Sequence, residues 1–185
     1  IEAFRYRFVD GKIALYESID TAFTYLNKET NLFKVVNVPM MDDLKEYCVY
    51  AKKVAEEQEA YFTGPLGNDV FQCSPMPWVT YTHISHTNSG KKDNATPLFD
   101  WGKYYEKDGK LMMPISVQAH HSFVDGIHIG EFVDALENYL GSFWWEIYIY
   151  EIDKLKLTEL KVRNAGKLMS KAYEFLKECG YFYVL

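Results

Sequence analysis

A pair of adjacent histidines is the part of the chain best suited to chemistry. His120 and His121 follow an apolar stretch, 113–119, that is typical of a strand, and Asp125 comes four residues after His121. An imidazole titrates near neutrality, and a hydrogen bond to one ring nitrogen decides which nitrogen is free to accept a proton. Gly126 can adopt the positive φ of a tight turn behind them. This spacing predicts a general base that its surroundings hold in position.

Other polar residues have simpler interpretations. We expect His120 to be structural, because its ring points to the opposite side of the strand from that of His121. His83 and His86 do not predict a metal site, since strand residues three apart face opposite sides and no cysteine or carboxylate completes the set. Cys73 is either a reactive thiol or, as is commoner, a small core residue.

The elements that must position the histidines are predicted from residue periodicity and turn residues. Alternating residues on either side of Asp10-Gly11 predict a β-hairpin over 4–16. Further strands are predicted over 22–26, 97–105 and 110–119, helices over about 41–62 and 129–140, and either a strand or the start of a helix over 32–38. Hairpins followed by helices, without a βαβ rhythm, indicate an α+β fold with a mixed or antiparallel sheet.

Two segments interrupt this regular pattern. Ser74 lies beside two prolines, which break a sheet ladder, so we expect Ser74 at an irregular corner. Gly141-Ser142 follows a natural helix end. Beyond it, alternation predicts a strand over 145–152, and helical spacing predicts two helices, one starting near Asp153 and one over 165–179.

Composition limits the class of protein. With 185 residues, of which 48% are hydrophobic, the chain is long enough for one domain with a sizeable core. Aromatic residues make up 17% and fit a pocket for a flat apolar ligand. The net charge of −6 argues against a nucleic-acid partner. With no apolar run near ~18 residues, no visible signal peptide and three cysteines without metal spacing, we expect no membrane partner and a cytoplasmic location.

The motif His120-His121-Ser-Phe-Val-Asp125-Gly126 resembles the signature of the chloramphenicol acetyltransferase family. Three more segments agree with that family in order and spacing: Glu2-Ala-Phe-Arg5 with Asp10-Gly11, Ser74-Pro-Met-Pro-Trp78, and Trp101-Gly-Lys-Tyr-Tyr105 with Met113-Pro114. The likeness covers about residues 1–140. It implies a two-layer α+β subunit with helices on one face of the sheet, in a homotrimer whose active sites lie between subunits. It also implies acetyl-CoA as co-substrate, chloramphenicol or a similar small alcohol as acceptor, and no metal.

The resemblance assigns a role to individual residues. His121 corresponds to the general base that takes the proton of the acceptor hydroxyl, Ser74 to the donor that stabilises the oxyanion, and Asp125 to an aspartate that holds the turn through an arginine. The same comparison places Trp78, Lys103 and Tyr104 along the CoA channel, and Leu98 and Tyr25 in the apolar acceptor pocket.

The chain also departs from the family pattern. Asp100 stands where the family has a threonine, and the opening segment that supplies the arginine partner of Asp125 is absent. Residues 141–185 extend past the family's last helix, and they faintly resemble its N-terminal elements, as in a permuted or rebuilt chain. Two alternatives therefore stay open. One is an inactive or engineered trimeric scaffold, and the other is an enzyme that acylates a dihydrolipoyl thiol.

Overall fold

A computed structural model describes residues 1–63, 67–86 and 93–155 of the chain. The chain divides into two compact units; Ile1–Asp125 form the first, and helix α2 belongs to the second. In chain order the elements are a 3-10 helix (Glu2–Arg5), β1 (Tyr6–Val9), β2 (Lys12–Leu15), β3 (Asp20–Asn27), β4 (Leu32–Val38), α1 (Leu44–Glu57), β5 (Val70–Met76), β6 (Leu98–Gly102), β7 (Tyr105–Lys107), β8 (Lys110–Met112), β9 (Ile115–Gln118) and α2 (Gly126–Leu155).

A five-stranded mixed sheet with the order β4-β3-β5-β6-β9 is the centre of the first unit. The outer pairs β3–β4 and β6–β9 are antiparallel, whereas β5 runs parallel to both β3 and β6. The predicted α+β class with a mixed sheet is confirmed, and residues 32–38 form a strand.

Two small hairpins turn at Asp-Gly, the first at the predicted turn and the second between the strands predicted over 97–105 and 110–119. Asp10 and Gly11 both have positive φ, 50° and 72°, between β1 and β2. Asp108 and Gly109 repeat this with 53° and 73° between β7 and β8. Asp-Gly accepts the left-handed backbone that a two-residue hairpin turn requires, so both turns follow from local chemistry.

Helix α1 packs beside one face of the sheet. It begins after Asp43, whose Oδ1 accepts a hydrogen bond from the Glu46 amide at 2.8 Å. Tyr47 reaches the sheet through a hydrogen bond between its hydroxyl and that of Thr21. The apolar residues buried in this unit come from this helix, from β3, β4 and the start of β5, and from the flanking segments: Ala3, Phe4, Ile19, Ala22, Phe23, Val36, Val38, Cys48, Ala51, Ala55, Val70, Ala95 and Val124.

The opposite face carries a row of polar side chains at one level. Ser74 on β5 pairs with Asp100 on β6, and Asp100 pairs with Ser116 on β9. Residues paired in register point to the same side of a sheet, so these three side chains lie next to one another. The segment that follows β5 covers part of this face, because the Lys103 amide donates to the Val79 carbonyl at 2.7 Å.

Helix α2 corrects one prediction. The strand predicted over 145–152 is wrong, because those residues continue α2, which runs to Leu155. Gly141-Ser142 does not end the helix, and the Ser142 hydroxyl donates to the Tyr139 carbonyl at 2.6 Å in the preceding turn. A short apolar alternation does not by itself separate a strand from a buried helical segment. The rest of the predicted tail, residues 156–185, lies outside the described residues.

Among the helices that the structure describes, none is both long enough and apolar enough to span a bilayer.

Candidate active site

His121 lies in the turn that follows β9. The turn is closed by the Phe123 and Val124 amides, which donate to the His120 carbonyl at 3.0 and 3.1 Å. It leaves the side chain of His121 87% exposed. The candidate base is therefore presented on the surface of its own chain.

Asp125 holds the imidazole of His121 by one nitrogen. His121 Nδ1 lies 2.8 Å from Asp125 Oδ1, a contact that the four-residue spacing makes possible. A carboxylate at this distance accepts a hydrogen bond from Nδ1–H, so the tautomer has a free lone pair on Nε2. Nε2 is the atom that can act as a base. The resemblance implied that Asp125 would pair with an arginine, whereas the structure pairs it with His121.

His120 is packed, as the sequence predicts. Its ring lies 5.3 Å from that of Phe8 in an edge-on arrangement and 6.0 Å from that of Phe123. Its Nδ1 accepts a hydrogen bond from the Ser122 amide at 3.1 Å. These contacts fix the start of the turn that presents His121.

Ser74 lies inside β5, and the predicted irregular corner is wrong. The pairing of β5 with β3 ends at Cys73, and the pairing with β6 continues through Pro75 to Met76. Pro75 therefore lies where one side of β5 has no ladder to interrupt, which is where a sheet tolerates proline. The half-buried Ser74 side chain is fixed by regular strand geometry.

One chain does not bring His121 and Ser74 together. Ser74 is aligned with Ser116 on β9 through their shared partner Asp100. His121 comes three residues after Gln118, which lies at the end of the sheet where β5 begins. Two strand spacings alone separate β5 from β9 by roughly 10 Å. Neither residue hydrogen-bonds to the other in the described part of the chain. A reacting centre within reach of both would have to take one of them from a second copy.

Asp100 forms a contact that the sequence did not reveal. It is fully buried, and its Oδ1 lies 2.9 Å from Nε2 of His86. The Tyr81 hydroxyl donates to the Asp100 carbonyl at 3.0 Å. Burial raises the pKa of the Asp100 carboxyl, and the charge and hydrogen bond of His86 partly offset that rise. The sequence gives His86 only a metal ligand's interpretation, because nothing local links it to a residue fourteen positions away.

Of the residues assigned to the CoA channel, Lys103 and Tyr104 are adjacent in the chain, and Lys103 is linked to the segment that follows Trp78. Trp78 is 56% exposed, and its ring meets that of Phe33 edge-on at 6.0 Å. Lys103 is exposed and is tied to the segment after Trp78, because the Thr80 hydroxyl donates to the Lys103 carbonyl at 2.5 Å. Tyr104, the next residue, is half-buried.

The two residues assigned to the acceptor pocket are not brought together within the chain. Leu98 is in register with Gln72, on the face that carries Ser74. Tyr25 pairs with Lys34, on the face beside α1, and the Lys34 ammonium lies 5.4 Å from the centre of the Tyr25 ring. Any pocket that uses both would need a second copy.

No group of three or more histidine, cysteine or acidic side chains in the described ranges is arranged to hold a metal ion.

The comparisons with known proteins agree with one another. The family model described as chloramphenicol acetyltransferase matches residues 1–137. Chloramphenicol acetyltransferases of Klebsiella sp. and Escherichia coli are each 30% identical over 139 residues, which cover 74% of this chain and 64% of the relative. That of Bacillus pumilus is 28% identical over 140 residues, with the same coverage. The chain thus spans 64% of the length of these relatives.

The solved structures give the same fold. A chloramphenicol acetyltransferase superposes with a TM-score of 0.66 at 27% identity, covering 76% of this chain and 70% of the other. The dihydrolipoamide acetyltransferase of Azotobacter vinelandii superposes with a TM-score of 0.56 at 16% identity, covering 75% of this chain and 61% of the other. At that identity, the second likeness concerns the fold alone.

Proposed function

Since the chain belongs to the chloramphenicol acetyltransferase family, we propose that it transfers the acetyl group of acetyl-CoA to a hydroxyl of chloramphenicol or a similar alcohol. The observation that carries the proposal is the contact between His121 and Asp125 at 2.8 Å, on a ring that stays 87% exposed. It provides an oriented imidazole whose Nε2 can receive a proton from an incoming hydroxyl.

The proposed reaction needs one base and one hydrogen-bond donor. His121 Nε2 removes the proton of the acceptor hydroxyl as its oxygen attacks the thioester carbonyl. The Ser74 hydroxyl donates to the oxyanion of the tetrahedral intermediate, a contact whose loss costs roughly 100- to 1,000-fold in rate in comparable sites. The intermediate then expels the thiolate of CoA, which takes the proton back from His121, and the acetyl ester is released.

The site is proposed to lie between two copies in a homotrimer. The support is geometric, because His121 follows β9 at the end of the sheet where β5 begins, whereas Ser74 lies in the middle of the sheet, two strands away. In such a ring, each interface would join the His121 of one copy to the Ser74 of the next.

The two substrates have separate proposed contacts. Trp78 and Lys103 are exposed and linked through the segment after β5, so they can receive the adenine or pantetheine part and the phosphates of CoA, with Tyr104 beside them. Leu98 and Tyr25 are proposed to contact the acceptor.

A thiol-release assay tests the proposal. Acetyl-CoA is mixed with the chain and with chloramphenicol, dihydrolipoamide or neither. Release of CoA that depends on chloramphenicol supports the proposal. Release with dihydrolipoamide alone would replace it with lipoyl acyl transfer, and no release in any mixture would indicate an inactive scaffold.

Variants identify the base. His121→Gln is expected to lower kcat by about 100- to 10,000-fold, as for the loss of a general base. His83→Gln, an exposed histidine on the segment after β5, serves as the matched control and is expected to keep the wild-type rate.

A further inference from the structure

A fully buried carboxylate lies next to the proposed oxyanion donor. Asp100 and Ser74 are paired in register on adjacent parallel strands, so their side chains share one face at the ~4.8 Å spacing of a sheet. Asp100 Oδ1 contacts His86, and Asp100 Oδ2 is buried with no hydrogen-bond partner among the described residues. A site that must stabilise negative charge thus has an acidic group as its neighbour.

An ionised Asp100 would oppose the proposed reaction. The oxyanion forms within hydrogen-bonding distance of Ser74, and like charges a few ångströms apart repel strongly where water is excluded. Asp100 can be tolerated there only if its charge is removed by a proton or balanced by a cation. Burial raises the pKa of Asp100 and so favours removal of its charge by a proton.

His86 is the group that can balance the charge. Its side chain is 36% exposed, so the ring is open to solvent while Nε2 stays on Asp100. The other titratable neighbours are Tyr81 and Cys73, and both stay neutral near pH 7 because burial raises their pKa, that of Cys73 to about 12. From β9 the group facing Asp100 is the uncharged Ser116. Within the described residues, His86 is therefore the nearest group that can carry a positive charge beside Asp100.

We propose that His86 is a positioning residue for acetyl transfer, which holds Asp100 in a charge-neutral pair so that Ser74 can stabilise the oxyanion. The proposal rests on the proposed function and makes no use of His121. It explains why a carboxylate can occupy the strand position beside Ser74. It also predicts that the need for His86 disappears when Asp100 is removed.

The test is a double-mutant cycle followed across pH 5–9. His86→Gln is expected to lower kcat by about 10- to 100-fold near neutral pH, where an imidazole can still carry the balancing proton, with the KM for acetyl-CoA unchanged. The loss shrinks at acid pH, because Asp100 then becomes neutral by taking up a proton. In an Asp100→Thr background, His86→Gln is expected to change kcat less than about twofold at every pH. His83→Gln is the control for a change on the same segment.

Thermal unfolding supplies a readout that does not depend on turnover. In the wild-type background, His86→Gln should lower the unfolding temperature at pH values above the pKa of Asp100. In the Asp100→Thr background, His86→Gln should leave that temperature unchanged. Asp100→Asn takes the place of Asp100→Thr if the latter does not fold.

The outcomes separate the two proposals. If the chains are active and His86→Gln costs the same activity and the same stability in both backgrounds, the role of His86 is overturned and the proposed function is not. If neither the wild type nor Asp100→Thr transfers an acetyl group, the proposed function itself is overturned, and the role of His86 in it falls as well.

Discussion

At the scale of single residues, the proposed chemistry depends on which nitrogen of His121 is free. Asp125 accepts a hydrogen bond from Nδ1–H at 2.8 Å and so directs the basic lone pair to Nε2. Both side chains are well exposed, at 87% and 61%, and water competes for such a contact. Exposed ion pairs contribute about 0–1 kcal/mol, so Asp125 orients the ring without dominating the reaction.

Replacement of Asp125 tests this limited role. Asp125→Asn is expected to lower kcat by about two- to fivefold and to leave the KM for acetyl-CoA unchanged, since only the orientation of the ring is weakened. Steady-state kinetics with chloramphenicol measure both values. A loss beyond about 1,000-fold would instead make Asp125 a full member of a catalytic triad.

Burial keeps the thiol of Cys73, which lies next to the proposed site, in its unreactive protonated form. Burial raises its pKa to about 12, and the charge of Asp100 adds to the rise. Because the thiolate is the reactive form, native Cys73 is expected to resist iodoacetamide at pH 8 and to react once the chain is unfolded in urea. Peptide mass spectrometry measures the labelling, and equal rates in the native and unfolded chain would contradict the assignment.

At the scale of elements, the sequence predicts those features that depend on contacts between residues a few positions apart. The two Asp-Gly turns and the Asp43 cap follow from side-chain chemistry within four positions. The contact of His121 with Asp125 belongs to the same class, which is why the sequence indicates an oriented base. These features need no knowledge of the rest of the fold.

Where the structure differs from what the sequence predicts, contacts between distant segments are the cause. Helix α1 ends at Glu57 instead of continuing to 62, because the next residues pair with the edge of β4, where the Val35 amide donates to the Tyr61 carbonyl at 2.9 Å. The contact of His86 with Asp100 likewise joins two segments that only the sheet brings together. The sequence contains no local pattern for either.

Gly102 fixes the distance between β6 and the segment after β5. A Cβ at this position would lie 2.5 Å from the Val79 carbonyl oxygen and 2.9 Å from both Pro114 and Tyr81. Gly102→Ala is therefore expected to destabilise the chain by about 1–3 kcal/mol, since a backbone atom must move. Urea unfolding measures the change.

The control for this prediction lies in α2. A Cβ on Gly130 meets nothing within 4 Å, so Gly130→Ala is expected to be neutral or stabilising, by up to about 1 kcal/mol. Equal unfolding midpoints for Gly102→Ala and the wild type would contradict the close packing at Gly102.

At the scale of the whole molecule, the site is proposed to need more than one copy. The register of the sheet separates Ser74 from His121 by two strand spacings, and it places Leu98 and Tyr25 on different faces. A ring of copies joins such separated residues, because each interface pairs one surface with a different surface of the next copy. The geometry of a single chain therefore supports a site shared between copies, as in the proposed trimer.

Complementation between two inactive variants tests this account most directly. His121→Gln and Ser74→Ala are coexpressed, so that mixed oligomers contain some interfaces with an intact His121 from one copy and an intact Ser74 from the next. Chloramphenicol-dependent CoA release is then measured against each variant alone and the wild type. Random assembly predicts recovery of about a quarter of the wild-type rate, the share of interfaces that receive both intact residues. Mixed oligomers no more active than their parents, beside an active wild type, would contradict a shared site built on His121.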